Sequence, residues 1–378
     1  MLEARRVLIL TADAGFGHRS AANAIAAALE ETHGSACHVE IVSPQDDPRM
    51  PIVLRSSLND YNTIVREMRE LYKVSYQATG ARVPSKIVER ALAVVLYDVM
   101  RDLVRQQRPD VIVTTHPLYQ APLALYGLRR RHIPLLTVVT DLATVHRLWF
   151  HRAADLCLVP TPAVYDLAIE NGLPPERVRI TGIPVHPRFA RETRPPAALR
   201  AELGWRPDLT TVLAVGSERL PQLAEVLQGL NHSGLPLQLV AVAGGADALY
   251  RQLQSVEWHL PTHIYNYVDN MPVLMHAADC VVCKAGGLIV TEALACGLPL
   301  LLTEVLPGQE VGNADYVTTN GAGERAEGPL ALLEALCHWL ADGGWELSQR
   351  AARARRLGRP RAAYDVAELA WASVRRNE

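Results

Sequence analysis

Two neighbouring segments in the last third of the chain carry the side chains best suited to bind a ligand. KAGGLIVTEALACGLPLLL (residues 284–302) is typical of a glycine turn that leads into a helix, and GQEVGNADYV (residues 308–317) follows soon after. Glycine lets the backbone approach a ligand closely, and a helix N-terminus offers unpaired N–H groups to a diphosphate. Glu292, one turn into that helix, could accept two hydrogen bonds from a ribose diol. Three further side chains could bind sugar hydroxyls: Gln309, Glu310 and Asn313. Together these groups suit a nucleotide sugar.

A second candidate group lies near the N-terminus, in ADAGFGHRSAA (residues 12–22). Gly15 and Gly17 are expected to permit a tight turn that places His18 at the mouth of the following helix. A neutral imidazole there could remove a proton from an attacking hydroxyl, and the helix dipole would lower its pKa. The alternative is that the glycines only allow the turn and that His18 caps or packs.

The chain alternates short apolar strands with amphipathic helices such as SAANAIAAALEE (residues 20–31). Apolar runs without polar alternation indicate parallel strands that are covered on both faces. The predicted strands are VLILT (7–11), VIVTT (111–115), LLTVVT (135–140), LCLVP (156–160), TVLAV (211–215), LQLVAVA (237–243), DCVVC (279–283) and LPLLLT (298–303). This pattern predicts an α/β fold with two Rossmann-like domains that face each other across a cleft.

The polar, proline-bearing segment RFARETRPPAA (residues 188–198) is the predicted linker. It separates an N-terminal domain, residues 1–190, from a C-terminal domain, residues 199–355. Residues 356–378 are predicted as a closing helix that could pack back on the first domain. Ligands of such sheets bind beyond the carboxyl ends of the strands.

The composition argues against several classes of protein. A formal net charge of −2 disfavours nucleic acid as the main partner. No apolar run reaches the roughly 18 residues needed to span a bilayer, so we expect a cytoplasmic enzyme without a transmembrane helix. Six scattered cysteines indicate reduced thiols rather than a disulfide framework. Cys280 and Cys283 lack a second Cys/His pair and are expected in a strand rather than in a metal site.

Six segments, taken in order, resemble the monogalactosyldiacylglycerol synthases and the related processive diacylglycerol glucosyltransferases. These enzymes are cousins of the N-acetylglucosaminyltransferase that completes lipid II. The segments are GFGHRSAA (15–22), THPL (115–118), VTDLATVHRLWFH (139–151), ITGIPVHPRF (180–189), YNYVDNMPVLMHAADCVVCKAGG (265–287) and PGQEVGNADYV (307–317). The resemblance implies a GT-B fold, a UDP-sugar as co-substrate, inversion at the anomeric carbon, and neither a cofactor nor an essential metal.

The resemblance also implies roles in the first domain. His18 would be the base, with Asp141 as the second catalytic candidate. The residues expected on the acceptor side are Gly15, Gly17, His116, His146 and Trp149. Each has a structural alternative, because Asp141 could cap a helix, His116 could shape a strand end, and His146 could pack or lie on the surface.

The second domain would bind the donor. By resemblance, the backbone at Val268 would meet the uracil, and Glu292 would bind the ribose. Gln309 and Glu310 would read the hexose hydroxyls, and Asn313 would support their loop. Gly286 and Gly287 are expected in the turn beside the diphosphate, and Lys284 is a further candidate for donor binding.

One loop departs from the family pattern. Relatives usually have a glycine-rich loop after the first strand of the second domain, whereas VGSERLPQL (residues 215–223) contains only Gly216. Ser217 and Arg219 could still contact phosphate, with arginine as a fixed cation. We expect an active enzyme, although this loop leaves open a non-catalytic UDP-sugar sensor.

The acceptor is expected to be diacylglycerol at an anionic membrane surface. Residues 51–108 contain ten Lys/Arg and six Asp/Glu, a net of +4. The basic, tyrosine-bearing segment 52–77 suits docking on the inner face of a membrane, while the amphipathic segment 87–107 could instead cover the sheet. The prediction is a peripheral enzyme that transfers glucose or galactose. The alternatives are another lipid acceptor, such as a polyprenyl-linked precursor, and a UDP-sugar epimerase.

Overall fold

The computed structural model describes residues 4–12, 16–50, 90, 93–127, 133–306 and 309–374. The chain divides into two compact units. The first contains Met1–Pro187, Pro307–Gln309 and Arg361–Glu378, and the second contains Arg188–Leu306 and Glu310–Pro360.

The first unit is built on a six-stranded parallel sheet with the order β2-β1-β3-β4-β5-β6. Its strands are β1 (Arg5–Leu10), β2 (Cys37–Val42), β3 (Val111–Thr114), β4 (Leu135–Val138), β5 (Leu156–Val159) and β6 (Val178–Ile180). Its described helices are α1 (Phe16–His33), α2 (Tyr97–Gln107), α3 (Gln120–Tyr126), α4 (Pro162–Glu170) and, after the second unit, α14 (Ala362–Ser373).

Strand β1 shows why both faces of this sheet are covered. Successive side chains of a strand point to opposite faces. Val7 and Ile9 therefore join the core formed with α1 and α14, whereas Leu8 and Leu10 join the core formed with α2 and α3. Each side chain is fully buried, and burial of one such side chain stabilises the fold by roughly 1.5–3 kcal/mol.

Helix α14 packs on the first unit through α1 and β1. The guanidinium of Arg5 lies 4.1 Å from the ring centre of Trp371, and the His33 ring stacks on the same indole at 3.8 Å. The Tyr364 hydroxyl donates a hydrogen bond of 2.6 Å to Glu31. The returning segment begins at Arg361 rather than at residue 356, because the preceding helix continues to Leu357 within the second unit.

The second unit has a six-stranded parallel sheet with the order β12-β11-β10-β7-β8-β9. Its strands are β7 (Thr210–Val215), β8 (Leu237–Val242), β9 (Thr262–Tyr265), β10 (Cys280–Lys284), β11 (Leu300–Glu304) and β12 (Gly323–Arg325). Its described helices are α5 (Arg188–Arg191), α6 (Pro196–Leu203), α7 (Leu223–Gln228), α8 (Asp247–Ser255), α9 (Met271–Ala277), α10 (Gly287–Ala295), α11 (Gln309–Thr319), α12 (Pro329–Leu340) and α13 (Trp345–Leu357).

The predicted α/β class and its two parallel sheets are confirmed, and the eight predicted strands match observed strands to within two residues at each end. The segment predicted as a linker forms α5 and the start of α6, because Pro196 occupies the first turn of a helix, where its missing N–H costs nothing. Within the described part of the chain, no helix is both long and apolar enough to cross a membrane.

The order of strands creates one switch point in each sheet. After β1 the chain continues to β2 on one side of it and later returns to β3 on the other side. In the second sheet, β8 and β10 lie on opposite sides of β7 in the same way. In parallel sheets, ligands bind beyond the carboxyl ends of the strands at such a point. Ligand-binding residues are therefore expected in the loops that follow β1, β3, β7 and β10.

Candidate functional site

His18 lies in the first turn of α1, beside the carboxyl ends of β1 and β3. Its Nδ1 is 2.8 Å from the carbonyl oxygen of Thr115, and the Thr140 hydroxyl oxygen is also 2.8 Å from this nitrogen. A carbonyl oxygen can only accept, so Nδ1 of the neutral ring must carry the hydrogen. The tautomer is thereby fixed, and Nε2 keeps the lone pair that a base needs.

The surroundings of His18 keep the ring neutral. Burial lowers its pKa to about 4, and the hydrogen bond to the Thr115 carbonyl opposes this shift. The sequence argument attributed a lowered pKa to the helix dipole, whereas burial is the larger cause in the structure. At neutral pH the imidazole is therefore unprotonated.

Aromatic rings surround His18. The His116 ring meets it edge-on at 4.9 Å between centroids, and the Trp149 ring lies at 6.0 Å. Burial lowers the pKa of His116 well below its usual value, and its Nδ1 has no hydrogen-bond partner among the residues described. The Tyr119 hydroxyl donates to the Thr11 carbonyl at 3.0 Å, which joins the end of β1 to the turn after β3.

Asp141 and Trp149 form a buried pair next to these rings. The indole N–H donates a 2.7 Å hydrogen bond to Oδ2 of Asp141. Burial raises the pKa of Asp141 to about 7, and the indole hydrogen bond opposes the rise. Gln120 fixes the same region, because its amide donates to the carbonyls of Leu148 and Trp149, each at 3.1 Å. The structure thus links His18, Trp149 and Asp141 in one continuous cluster.

The other acceptor-side predictions have different outcomes. The Nδ1 atom of His146 accepts a 3.2 Å hydrogen bond from the N–H of Leu148 and so caps a single helical turn. Gly15 lies outside the described residues. The prediction that Gly17 serves a tight turn is wrong, because α1 already begins at Phe16 and Gly17 has a helical position without a positive φ.

Segment 52–77, the predicted membrane-docking segment, also lies outside the described residues. The described part of segment 87–107 covers the sheet, as one alternative predicted. Leu96, Val99, Met100 and Val104 are buried in its core, while Val94 and Val95 are exposed.

In the second unit, Gly216 follows β7 and packs tightly against α8, the helix that follows β8. An ideal Cβ built on Gly216 would lie 2.4 Å from a methyl carbon of Leu249. The Ser217 hydroxyl oxygen accepts a 3.3 Å hydrogen bond from the N–H of Arg219, which shapes the turn. The loop after β7 therefore lies close to the switch point although Gly216 is its only glycine.

Replacement of Gly244 by alanine should destabilise the second unit more than replacement of its neighbour Gly245. Both residues have positive φ, +66° and +82°, but only a Cβ at Gly244 would meet backbone, at 2.4 Å from the Gly216 oxygen. Each change carries left-handed strain of about 1–2 kcal/mol, and Gly244→Ala adds about 1–3 kcal/mol of overpacking. Urea unfolding of both variants measures the difference, and equal losses would contradict the close packing of the two loops.

The turn between β10 and α10 is the second close approach of backbone to the switch point. Gly286 is the N-cap of α10 and Gly287 its first residue, and no side chain caps this end. Lys284, the last residue of β10, forms an ion pair with Glu310. The other carboxylate oxygen of Glu310 accepts a 3.1 Å hydrogen bond from the N–H of Leu306. The side chain of Gln309 lies outside the described part of the structure.

Glu292 lies in α10 and is half-buried. Burial raises the pKa of its carboxyl group to about 8. None of the described residues forms a hydrogen bond or an ion pair with this carboxyl group. A titratable group that is desolvated and unpartnered is a candidate for ligand binding.

Asn313 and Val268 complete the predicted donor side. The buried Asn313 amide donates a 3.0 Å hydrogen bond to the Ala285 carbonyl, which holds the turn before α10, and its Oδ1 has no partner within the described residues. Val268 is half-buried in the loop between β9 and α9. Their roles toward a nucleotide sugar stay predictions.

Sequence reasoning did not assign roles to several residues at these strand ends. Thr115 and Thr140 contact Nδ1 of His18. Their signal in the sequence was a threonine within two residues of the end of a buried strand. Gln222 hydrogen-bonds Glu304, which joins the loop after β7 to the end of β11. No local sequence pattern could predict that hydrogen bond, because its partners are 82 positions apart in the chain.

Two family models match the chain. Monogalactosyldiacylglycerol (MGDG) synthase matches residues 18–185, and the glycosyltransferase family 28 C-terminal domain matches residues 211–337. The monogalactosyldiacylglycerol synthase of Spinacia oleracea is 33% identical over 375 residues, which cover 96% of this chain and 71% of the relative. Monogalactosyldiacylglycerol synthase 1 of Arabidopsis thaliana is 31% identical over 374 residues, with coverage of 96% and 70%. Both relatives are described as chloroplastic.

Solved structures share the fold. MurG of Acinetobacter baumannii has a TM-score of 0.62 at 16% identity, with 97% of this chain and 99% of that chain covered. The calicheamicin glycosyltransferase CalG4 has a TM-score of 0.59 at 18% identity, with coverage of 99% and 100%. The UDP-GlcNAc 2-epimerase of Neisseria meningitidis also scores 0.59, at 13% identity, with coverage of 96% and 98%. The predicted GT-B fold is confirmed, but it is shared with an epimerase, so the sequence relatives must decide the class of reaction.

Proposed function

Because the chain belongs to the monogalactosyldiacylglycerol synthase family and is a glycosyltransferase, we propose that it transfers a hexose from a UDP-sugar to diacylglycerol. The product is a glycosyldiacylglycerol. The names of the relatives support the acceptor, and the loops after β7 and β10 support a nucleotide-sugar donor. A UDP-sugar epimerase is disfavoured, because the epimerases resemble this chain in fold only.

The observation that carries this proposal is the fixed tautomer of His18. With Nδ1–H held by the Thr115 carbonyl, Nε2 can take the proton from the acceptor hydroxyl. The hydroxyl oxygen then attacks the anomeric carbon, and the bond from that carbon to the UDP oxygen breaks with its electron pair on UDP. One displacement of this kind inverts the anomeric configuration.

Charge on the leaving UDP can be stabilised by groups of the second unit. The N-terminus of α10 offers unpaired N–H groups and a positive dipole end, and Lys284 adds a cation next to it. These groups support a reaction that needs neither a metal ion nor a cofactor. Asp141 would keep Trp149 oriented next to His18, which makes Asp141 a positioning residue.

The proposed site of action is the face of an anionic membrane, where the protein is peripheral. The excess of four positive charges in residues 51–108, ten Lys/Arg against six Asp/Glu, supports attraction to such a surface. In this proposal the inner, cytoplasmic face of the membrane presents the diacylglycerol.

The test is sugar transfer to lipid. Purified protein is incubated with diacylglycerol vesicles and radiolabelled UDP-glucose or UDP-galactose, with EDTA present, and the extracted lipid is chromatographed. We expect a labelled glycolipid with one of the donors, and an initial rate of labelling about 10²–10⁴-fold lower with His18→Ala. Label in lipid only when EDTA is omitted would refute metal independence, and no labelled lipid under any condition would refute diacylglycerol as the acceptor.

The affinity for the accepted UDP-hexose should rise with pH up to about 8 and then level off. Because burial raises the pKa of Glu292 to about 8, the free protein carries mostly the neutral carboxyl group below that pH. A ribose diol bonds more strongly to the carboxylate, so binding releases the proton, and each pH unit below 8 weakens binding by up to about tenfold. Calorimetry of wild type and Glu292→Gln checks this, since the amide does not titrate. A flat wild-type profile would contradict the role of Glu292.

A further inference from the structure

Two positive features meet at the N-terminus of α10. An ideal Cβ on Gly286 would lie 2.9 Å from Nζ of Lys284 and 3.3 Å from its Cε. The ammonium group therefore lies against the backbone of the residue that caps α10. A helix N-terminus already carries a partial positive charge, so a cation beside it is unfavourable unless an anion joins them.

Glu310 supplies that anion. One of its oxygens accepts from Lys284 Nζ, and both side chains are mostly shielded from solvent, with exposed fractions of 12% for Glu310 and 18% for Lys284. Its other oxygen accepts from the N–H of Leu306 at 3.1 Å. The carboxylate is thus bonded to the cation that lies against the N-terminus of α10, although the family resemblance predicts that it reads sugar hydroxyls.

We propose that Glu310 is an internal substitute for the donor diphosphate and is displaced from Lys284 when the UDP-sugar binds. The diphosphate takes over Lys284, and the released carboxylate becomes free to accept hydrogen bonds from the hexose. This inference rests on the proposed function, because it assumes a UDP-sugar donor.

The exchange distinguishes substrate from product. A UDP-sugar breaks the Lys284–Glu310 ion pair but offers Glu310 new partners in its hydroxyls. UDP breaks the same ion pair but has no hexose hydroxyls that could donate hydrogen bonds to Glu310. The ion pair therefore weakens the binding of UDP more than that of the UDP-sugar, which favours release of the product after transfer.

A double-mutant cycle tests the exchange by calorimetry. Glu310→Gln removes the competing anion, so we expect it to bind UDP about tenfold tighter than wild type, equivalent to about 1.4 kcal/mol. Lys284→Met should bind UDP more weakly, and Lys284→Met with Glu310→Gln should bind it as Lys284→Met alone does. Uridine, which lacks the diphosphate, should bind wild type and Glu310→Gln equally. The Glu310→Gln change should raise the affinity for the UDP-hexose by a smaller factor than the affinity for UDP.

The matched control is Glu324→Gln, which breaks the partly buried ion pair with Arg350 elsewhere in the second unit and should leave UDP affinity unchanged. Thermal unfolding establishes that each variant is folded, and Glu310→Ala replaces Glu310→Gln if the amide variant is not. The exchange would be overturned if Glu310→Gln did not raise the affinity for UDP. It would also be overturned if Glu310→Gln raised that affinity by the same factor in the Lys284→Met background. If wild type makes glycolipid and binds UDP while the cycle shows no coupling, the exchange alone fails. If wild type neither makes glycolipid nor binds UDP, the proposed function itself is contradicted.

Discussion

Replacement of His18 by alanine is expected to reduce turnover by about 10²–10⁴-fold while UDP affinity stays at its wild-type value. The loss follows from the geometry, because Nε2 is the ring nitrogen left to accept a proton once Nδ1–H is held by Thr115. UDP affinity should not change, because Lys284 and Glu292, the described side chains proposed to contact UDP, lie in the second unit. Initial rates with vesicles and calorimetry with UDP measure the two quantities separately.

Two further variants sharpen this test. His18→Asn keeps a donor near the Thr115 carbonyl but removes the base, so it should be as inactive as the alanine variant. His38→Ala removes an exposed histidine of β2 in the same unit and should retain full activity. Unchanged turnover in His18→Ala would remove this residue from the role of base.

Replacement of Glu292 by alanine is expected to weaken UDP binding by roughly 1.5–3 kcal/mol, which is the loss of a hydrogen bond to a charged group. In dissociation constants this is roughly 10- to 150-fold. The measurement belongs above pH 8, because burial raises the pKa of this carboxyl group to about 8 and the ionised form is the one that binds. Calorimetry with UDP gives the affinity directly.

Glu225→Ala is the matched control for that variant, since Glu225 is an exposed glutamate on α7 of the same unit. It should bind UDP as wild type does. Intact UDP affinity in Glu292→Ala would reject the ribose assignment and leave the raised pKa as a consequence of burial alone.

The sequence predicts the interior of each sheet but not its edges. All eight predicted strands are interior strands, whose continuous apolar runs reflect burial on both faces. The four strands without such a signal, β2, β6, β9 and β12, are the four edges. THIY in β9, for example, is only half-buried throughout, so its residues need not be apolar.

For the candidate site, the sequence identifies residue types but not their partners. The resemblance assigned Glu310 to sugar hydroxyls, yet the structure pairs it with Lys284, 26 residues earlier. Similarly, nothing local to His18 reveals that Thr115 fixes its tautomer, because Thr115 lies 97 positions later in the chain. Such contacts depend on which strand ends meet at a switch point, and that is set by the topology of the whole sheet.

The return of α14 to the first unit affects the order in which the chain can fold during synthesis. Val366, Ala367 and Ala370 fill the core that covers Val7 and Ile9 of β1, but they follow the entire second unit along the chain. A growing chain therefore presents one face of its first sheet without this cover until the ribosome has passed residue 370. Until then Val7 and Ile9 lack their contacts with α14, although their strand was made first, and apolar surface left exposed in this way is prone to aggregation.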